Sequence, residues 1–419
     1  MIDLLVRGDE ADIAVEDGRI AAIAPEIAEP AREEINARGL HVLPGAIDAH
    51  VHFNEPGRAS WEGWATGTAA LAAGGVTACV EMPLNAHPPT VDGAAFDAKV
   101  EAAARSAVVD FALWGGLVPG DLGRLDELAE RGVVGFKAFM CDSGIEDFPA
   151  ADDDVLGAGM ERAAALGLPV AVHAERPARL RAPRDGSWRE WAASRPPEAE
   201  LEAISRALTL AEETRCSLHV VHVSTAEGVA LVADAAARGV DATCETCPHY
   251  LVLRDADMEQ LGTLAKCAPP LRPDPEPLWE ELERITLIAS DHSPCPPDMK
   301  AGGFDTAWGG IAGAQSTLPL LLGEGLRHGL PMHVLADRVC GAPARRFGLP
   351  KGRLEVGADA DLVLVETGGP FELGELRDRH KANPFAGRPM YARVVRTLLR
   401  GRERGAGRLL VPDRQRGSA

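Results

Sequence analysis

Gly45-Ala46-Ile47-Asp48-Ala49-His50-Val51-His52 is a short apolar run that closes on two histidines. Its first part, Gly45–Ala49, lacks the apolar–polar alternation of a half-solvated strand and reads as a strand covered on both faces. Residues two apart in a strand share a face, so His50 and His52 can reach one ion together from the strand's end. Taken alone, the pair reads equally well as two polar residues where a strand meets solvent. Similar runs follow at Val76–Glu81, Val108–Trp114, Val133–Phe139, Pro169–His173, Ser217–His222, Asp241–Thr246 and Ile285–Asp291. Between them lie segments of helical period, among them Gly67–Ala73, Ala94–Ala107, Val155–Leu166, Pro197–Thr214 and Thr225–Ala237. Eight β–α steps in series predict an α/β fold, a (β/α)8 TIM-type barrel rather than an open sheet.

Away from this centre the chain changes character. Asp12–Val15, the turn Glu16-Asp17-Gly18 and Ile20–Ile23 predict a hairpin within a β-rich stretch over 2–24. Strand-like segments return at Leu362–Val365 and Arg393–Leu399. The two ends together are expected to build one small β-sandwich domain. The predicted organisation is residues 1–44 and 346–419 in that domain and 45–345 in the barrel, with 414–419 a frayed tail.

Composition narrows the function. Apolar residues are 46% of the 419 and charged residues 25%, enough to bury a sizeable core. The formal net charge of -20 opposes nucleic-acid binding, which needs clustered Lys and Arg. It sits more easily with a neutral or cationic small molecule, or with a metal ion. The start, Met1–Gly8, lacks the features of a secretory signal, and no run of 18 or more apolar residues predicts a membrane span. Eight scattered cysteines do not form a disulfide framework, and a cytoplasmic location is the expectation. Cys244 and Cys247 form a CxxC with no second pair nearby, which reads as buried thiols.

Other runs also end in groups that bind metals or move protons. His173 ends the fifth run, His222 the sixth and Asp291 the eighth, while Lys137 lies near the end of the fourth. Barrel enzymes place their chemistry where strands meet the C-terminal rim. A lysine within an apolar strand is costly unless paired or modified. Each residue singly reads as a satisfied buried polar group; all of them at strand ends argue for a site. His219, three residues before His222, has the wrong parity and is expected to point away from the lumen, as a packing residue or a support behind the site. His249 follows the seventh run and is a lesser candidate.

This constellation resembles the amidohydrolase superfamily over nearly the whole chain. The resemblance implies that His50, His52 and Asp291 bind one divalent ion and that His173 and His222 bind another. It implies that Lys137, carboxylated by CO2, bridges the two as a carbamate, and that the protein is a homo-oligomer, a tetramer. Zinc is the first expectation for the metal, with Fe, Mn or Co as alternatives. The implied reaction is attack of a metal-bridging hydroxide on a ring carbonyl, with Asp291 moving the proton to the leaving nitrogen.

Longer segments narrow the resemblance further. His50–Arg58, Trp61-Glu62-Gly63, Glu81–Asn85, Ser194-Arg195-Pro196, Asp291–Pro297, Ala307–Gly313 and Arg379-His380-Lys381 are similar to those of the allantoinase family within the cyclic amidohydrolases. That likeness implies hydrolytic opening of the hydantoin ring of allantoin, a small neutral substrate. Dihydroorotases carry an Arg two residues after the second His, where it pairs with a substrate carboxylate. Asn54 stands there in this chain and cannot supply that charged fork. Asn54, Asn85 and Ser293 are candidate substrate contacts, although Asn and Ser also make turns routinely. The Gly-rich Trp308–Gly313 lacks the phosphate-loop Lys spacing and reads as a tight turn near substrate. The rival readings are a hydantoinase or dihydropyrimidinase, a dihydroorotase, and a barrel that binds without catalysis.

Overall fold

The computed structural model describes residues 1–403 and 405–413; the predicted tail, 414–419, lies outside them. Short buried strands at Ala46–Val51, Val76–Glu81, Asp110–Leu113, Phe136–Phe139, Val170–His173, Leu218–Val220, Ala242–Thr246 and Leu287–Ile288 occupy the apolar runs. Neighbours pair in parallel and in chain order. The third strand continues after a break at Trp114 into Gly115–Gly116, which pairs with Phe136–Phe139. Trp114 N donates to Glu81 O and Gly115 N to Gly135 O, so the break sits between two ladders. A parallel bridge joins Val51 to His292, and His52 N donates to His292 O at 2.8 Å.

Side chains on the two faces of these strands enter different cores. Ile47, Ala49, Val80, Ala112, Ala171 and Ala289 share one apolar cluster, while Ala46, Phe111, Phe136, Val170, Leu218 and Ile288 pack with the helices in another. Burial on both faces is the physical reason the runs are continuous rather than alternating. Helices Trp64–Ala73, Gly93–Ser106, Arg124–Arg131, Asp153–Leu166, Pro197–Thr214 and Ala226–Ala237 separate the strands. Asp92, Asp152 and Thr225 cap three of them by accepting from a backbone N–H three residues on. No helix among the described residues is long and apolar enough to cross a membrane.

Both ends of the chain are β-rich. One sheet runs in the order Arg19–Ala24, Asp12–Glu16, Ile2–Arg7 and Ala31–Asn36; another runs Met390–Leu398, Leu362–Phe371 and His41–Pro44. Leu4, Val6 and Ile13 from the first sheet share an apolar cluster with Leu362, Leu364 and Leu398 from the second. The strand Ala31–Asn36, outside the predicted 2–24 stretch, is an edge strand with Ile35 as its one buried side chain.

Candidate metal centre and substrate cavity

Local backbone aims the rim residues. Ile47 and Ala49 face the inner cluster, so strict alternation would turn His50 outward. The ladder with Val76–Glu81 slips between Asp48 and Val51, and such an irregularity re-aims a side chain. His50 and His52 then converge with Asp291: His50 Nε2 lies 3.3 Å and His52 Nε2 3.5 Å from Asp291 Oδ1. Asp291, His222, Asn54 and Asn85 all have positive φ, between 39 and 69°. This backbone is uncommon for non-glycine residues and clusters at functional sites.

A second pair stands beside the first. His173 Nδ1 and His222 Nε2 are 3.0 Å apart, and the His50 and His222 rings are 5.5 Å apart. Lys137 is fully buried near them, its Nζ 4.9 Å from the centroid of the Phe139 ring and without a hydrogen-bond partner among the described residues. Burial lowers its pKa from 10.5 to about 7, against the opposing pull of Glu245 and Asp291. Burial also drops His52 to about 4. Burial alone would raise Asp291, but the charge of His50 and the hydrogen bond from His52 hold it well below the usual carboxylate range.

Three of the four imidazoles have their other nitrogen engaged, leaving one free to face the centre. His50 Nδ1 donates to Glu245 Oε1 at 2.5 Å, His173 Nε2 to Glu175 Oε2 at 2.7 Å, and His52 Nδ1 accepts from Asn85 Nδ2 at 3.3 Å. Such outer partners fix the tautomer and orientation of a metal-binding histidine. Sequence reading missed both carboxylates. Glu245 was visible as an acid inside an apolar run, and Glu175 as an acid two residues after His173. The direction expected for His219 is overturned, while its reading as a packing or supporting residue agrees with its contacts: it is fully buried, its Nε2 bonds Glu245 Oε2 at 3.1 Å, and its ring stacks on Trp114 inside the inner cluster. Parity counted from His222 failed because that residue lies beyond the strand, at φ 39°.

The imidazoles and Asp291 open into a cavity of about 610 Å³, whose walls include Asn85 and Ser293. Asn54 does not line it; its Nδ2 donates to Pro294 O at 3.4 Å and its Oδ1 has no hydrogen-bond partner among the described residues. Lys137 and His249 are buried behind the wall. Gly309 and Gly310 are in the wall, and a Cβ on Gly310 would sit 2.3 Å from Ser293 O, which is why glycine stands there. Cys244 and Cys247 are buried free thiols.

The amidohydrolase family profile matches residues 41–404. The chain is 57% identical to an allantoinase of Rubrobacter xylanophilus, with 99% of both chains covered. It is 51% identical to an allantoinase of Solibacter usitatus, covering 96% of this chain and 93% of that one. Among solved structures it is similar to an L-hydantoinase (dihydropyrimidinase) from Arthrobacter aurescens, with a TM-score of 0.94, 34% identity and coverage of 98% and 100%. A dihydropyrimidinase from Brevibacillus agri matches with a TM-score of 0.87, 29% identity and 98% of each chain covered.

Proposed function

The chain belongs to the amidohydrolase family, and from that membership we propose that it hydrolyses the hydantoin ring of allantoin to allantoate. The fold is that of a TIM-type barrel. Its strands close through the Val51–His292 bridge, with 45–345 as the barrel and 1–44 and 346–413 as a small β-sandwich domain. The observation that carries the chemistry is the pairing of two facing sets of imidazole nitrogens with a buried lysine that has no hydrogen-bond partner among the described residues. Imidazole and carboxylate donors of this kind fit zinc, with Fe, Mn or Co as alternatives.

His50, His52 and Asp291 would hold one ion and His173 and His222 the other. Lys137, its amine brought near neutrality by burial, would take up CO2 and as a carbamate would supply anionic oxygen donors to these ions. Divalent ions held there would lower the pKa of water to about 7 and polarise a carbonyl oxygen. Asp291 does the proton work. It is ionised, and its Oδ1 lies at the mouth of both histidines. It takes the proton of the attacking water and delivers it to the ring nitrogen as the C–O bond forms and the C–N bond breaks. Asn85 and Ser293 on the wall are the contacts for the ring. Asn54 acts from behind it, by holding the Pro294 carbonyl. A cytoplasmic homotetramer is the assembly this reading carries.

The likeness to the Arthrobacter hydantoinase gives the second reading, a hydantoinase or dihydropyrimidinase. Ring opening measured with metal-loaded protein on allantoin, hydantoin, dihydrouracil and dihydroorotate separates them. Allantoin is expected to be by far the fastest; hydantoin or dihydrouracil in first place would overturn the substrate and keep the metal centre.

A further inference from the structure

Ser194-Arg195-Pro196 has no part in the chemistry above. Arg195 directly follows the helix Trp188–Ser194, and its carbonyl is held by Arg272 Nη1 at 2.9 Å. Among the described residues that line the cavity it is the one Lys or Arg. Its side chain is only 14% exposed, and its guanidinium carbon lies 5.2 Å from the centroid of the Trp191 ring. One nitrogen, Nη1, comes within 3.3 Å of Glu175 Oε2, an oxygen that already accepts from His173. The buried Nε has no hydrogen-bond partner among the described residues. A guanidinium has five N–H donors, so most of this one's capacity is left for a ligand. Leaving such donors unmade in a buried place is costly, which is reasonable where a substrate brings the acceptor.

We propose that Arg195 is a specificity-determining residue that donates to the carbonyl oxygen of the substrate's ureido arm. The proposal rests on allantoin as the substrate. Allantoin has no carboxylate to pair with a cation, but a urea carbonyl is a planar acceptor that two guanidinium N–H groups can meet. Asp142 and Asp305 line the same cavity and offer acceptors for the arm's own N–H groups. Arg195 thus reads the arm, while the metal centre acts on the ring. Hydantoin has the same ring and no arm.

The test compares Arg195→Gln and Arg195→Lys with the parent enzyme, each metal-loaded and checked for unchanged melting and metal content. Two quantities are measured: KM and kcat for allantoin, and the inhibition constant of hydantoin against allantoin turnover. In Arg195→Gln the KM for allantoin is expected to rise about 10- to 100-fold, the scale of one hydrogen bond to a charged group, while hydantoin binding changes less than about threefold. Arg195→Lys should fall between, because it keeps the charge and loses the fork. A parallel loss for both ligands, or a fall in kcat at constant KM, would mean that Arg195 acts only through Glu175 and His173, and would overturn the proposal. A parent enzyme that opens hydantoin but not allantoin would overturn the substrate reading instead, and this shows before any variant is made.

Discussion

Two clusters of buried ionisable groups sit at opposite ends of the barrel strands, and they differ in how their charges are met. At the start of the strand Asp110–Leu113, Asp110, Asp359 and Asp361 lie close enough to hold an ion. Lys351 Nζ already fills that place, at 2.6 Å from Asp110, 2.9 Å from Asp359 and 2.6 Å from Asp361. Arg400 adds a contact to Asp110, and Arg408 pairs with Asp359. At the C-terminal rim, His50, His52 and Asp291 make a group of the same size, but among the described residues neither the nearby Lys137 nor His222 Nδ1 has a hydrogen-bond partner. Acid clusters alone therefore do not mark the functional end. The mark is a set of donors that the protein leaves unpaired, because buried polar groups are otherwise satisfied.

Breaking each cluster should give opposite phenotypes. Asp291→Asn is expected to lower turnover by about 10³-fold or more, on the scale of lost acid–base work, with little change in melting. Near-normal turnover by a folded Asp291→Asn protein would remove Asp291 from the proton path. Lys351→Met should leave buried carboxylates without their cation and cost about 3 kcal/mol of stability, measured by denaturant unfolding, with turnover per folded molecule unchanged. A cost below about 1 kcal/mol would mean that Arg400 and Arg408 alone satisfy the cluster.

The letters of the chain showed these two ends unequally. His50, His52, Lys137, His173, His222 and Asp291 stood out because each sits at the end of an apolar run, where a core strand gives way to the rim. Glu245 and Glu175 did not, because an acid's spacing does not say whether it meets solvent or an imidazole. The slip at Asp48–Val51 and the turn at His222 are backbone events without a signature in residue types, so parity misplaced His219. The hairpin over 12–23 was legible from its turn. Ala31–Asn36 was not, because Ile35 is its one buried side chain and the apolar pattern of a strand never forms. The lysine–aspartate cluster was hidden because Asp110 lies 241 positions before Lys351 in the chain, and nothing in the letters between them says that they meet.

Glu245 sharpens the contrast at a finer level, since it is a rim carboxylate that is paired, to His50 and His219. Glu245→Gln should weaken metal retention about 10- to 100-fold, read by competition with a chelator, because His50 loses its charged partner. Asp359→Asn at the other end should leave metal retention unchanged. Equal retention by both variants would mean that Glu245 only fills space.

The smallest effect concerns the protonation of Lys137. Its pKa, lowered to about 7, leaves the amine neutral above that pH and ammonium below it. Only the neutral amine can attack CO2. In metal-free protein at fixed dissolved 13CO2, the initial rate of carbamate formation, followed by NMR, should therefore rise roughly tenfold from pH 6 to 8 and flatten above. His52, lowered to about 4, stays neutral throughout and adds no inflection. A rate that kept climbing through pH 9 to 10 would show that Lys137 titrates like an exposed lysine. The rim would then be as well satisfied as the cluster around Lys351, and the unpaired lysine would no longer separate the two ends.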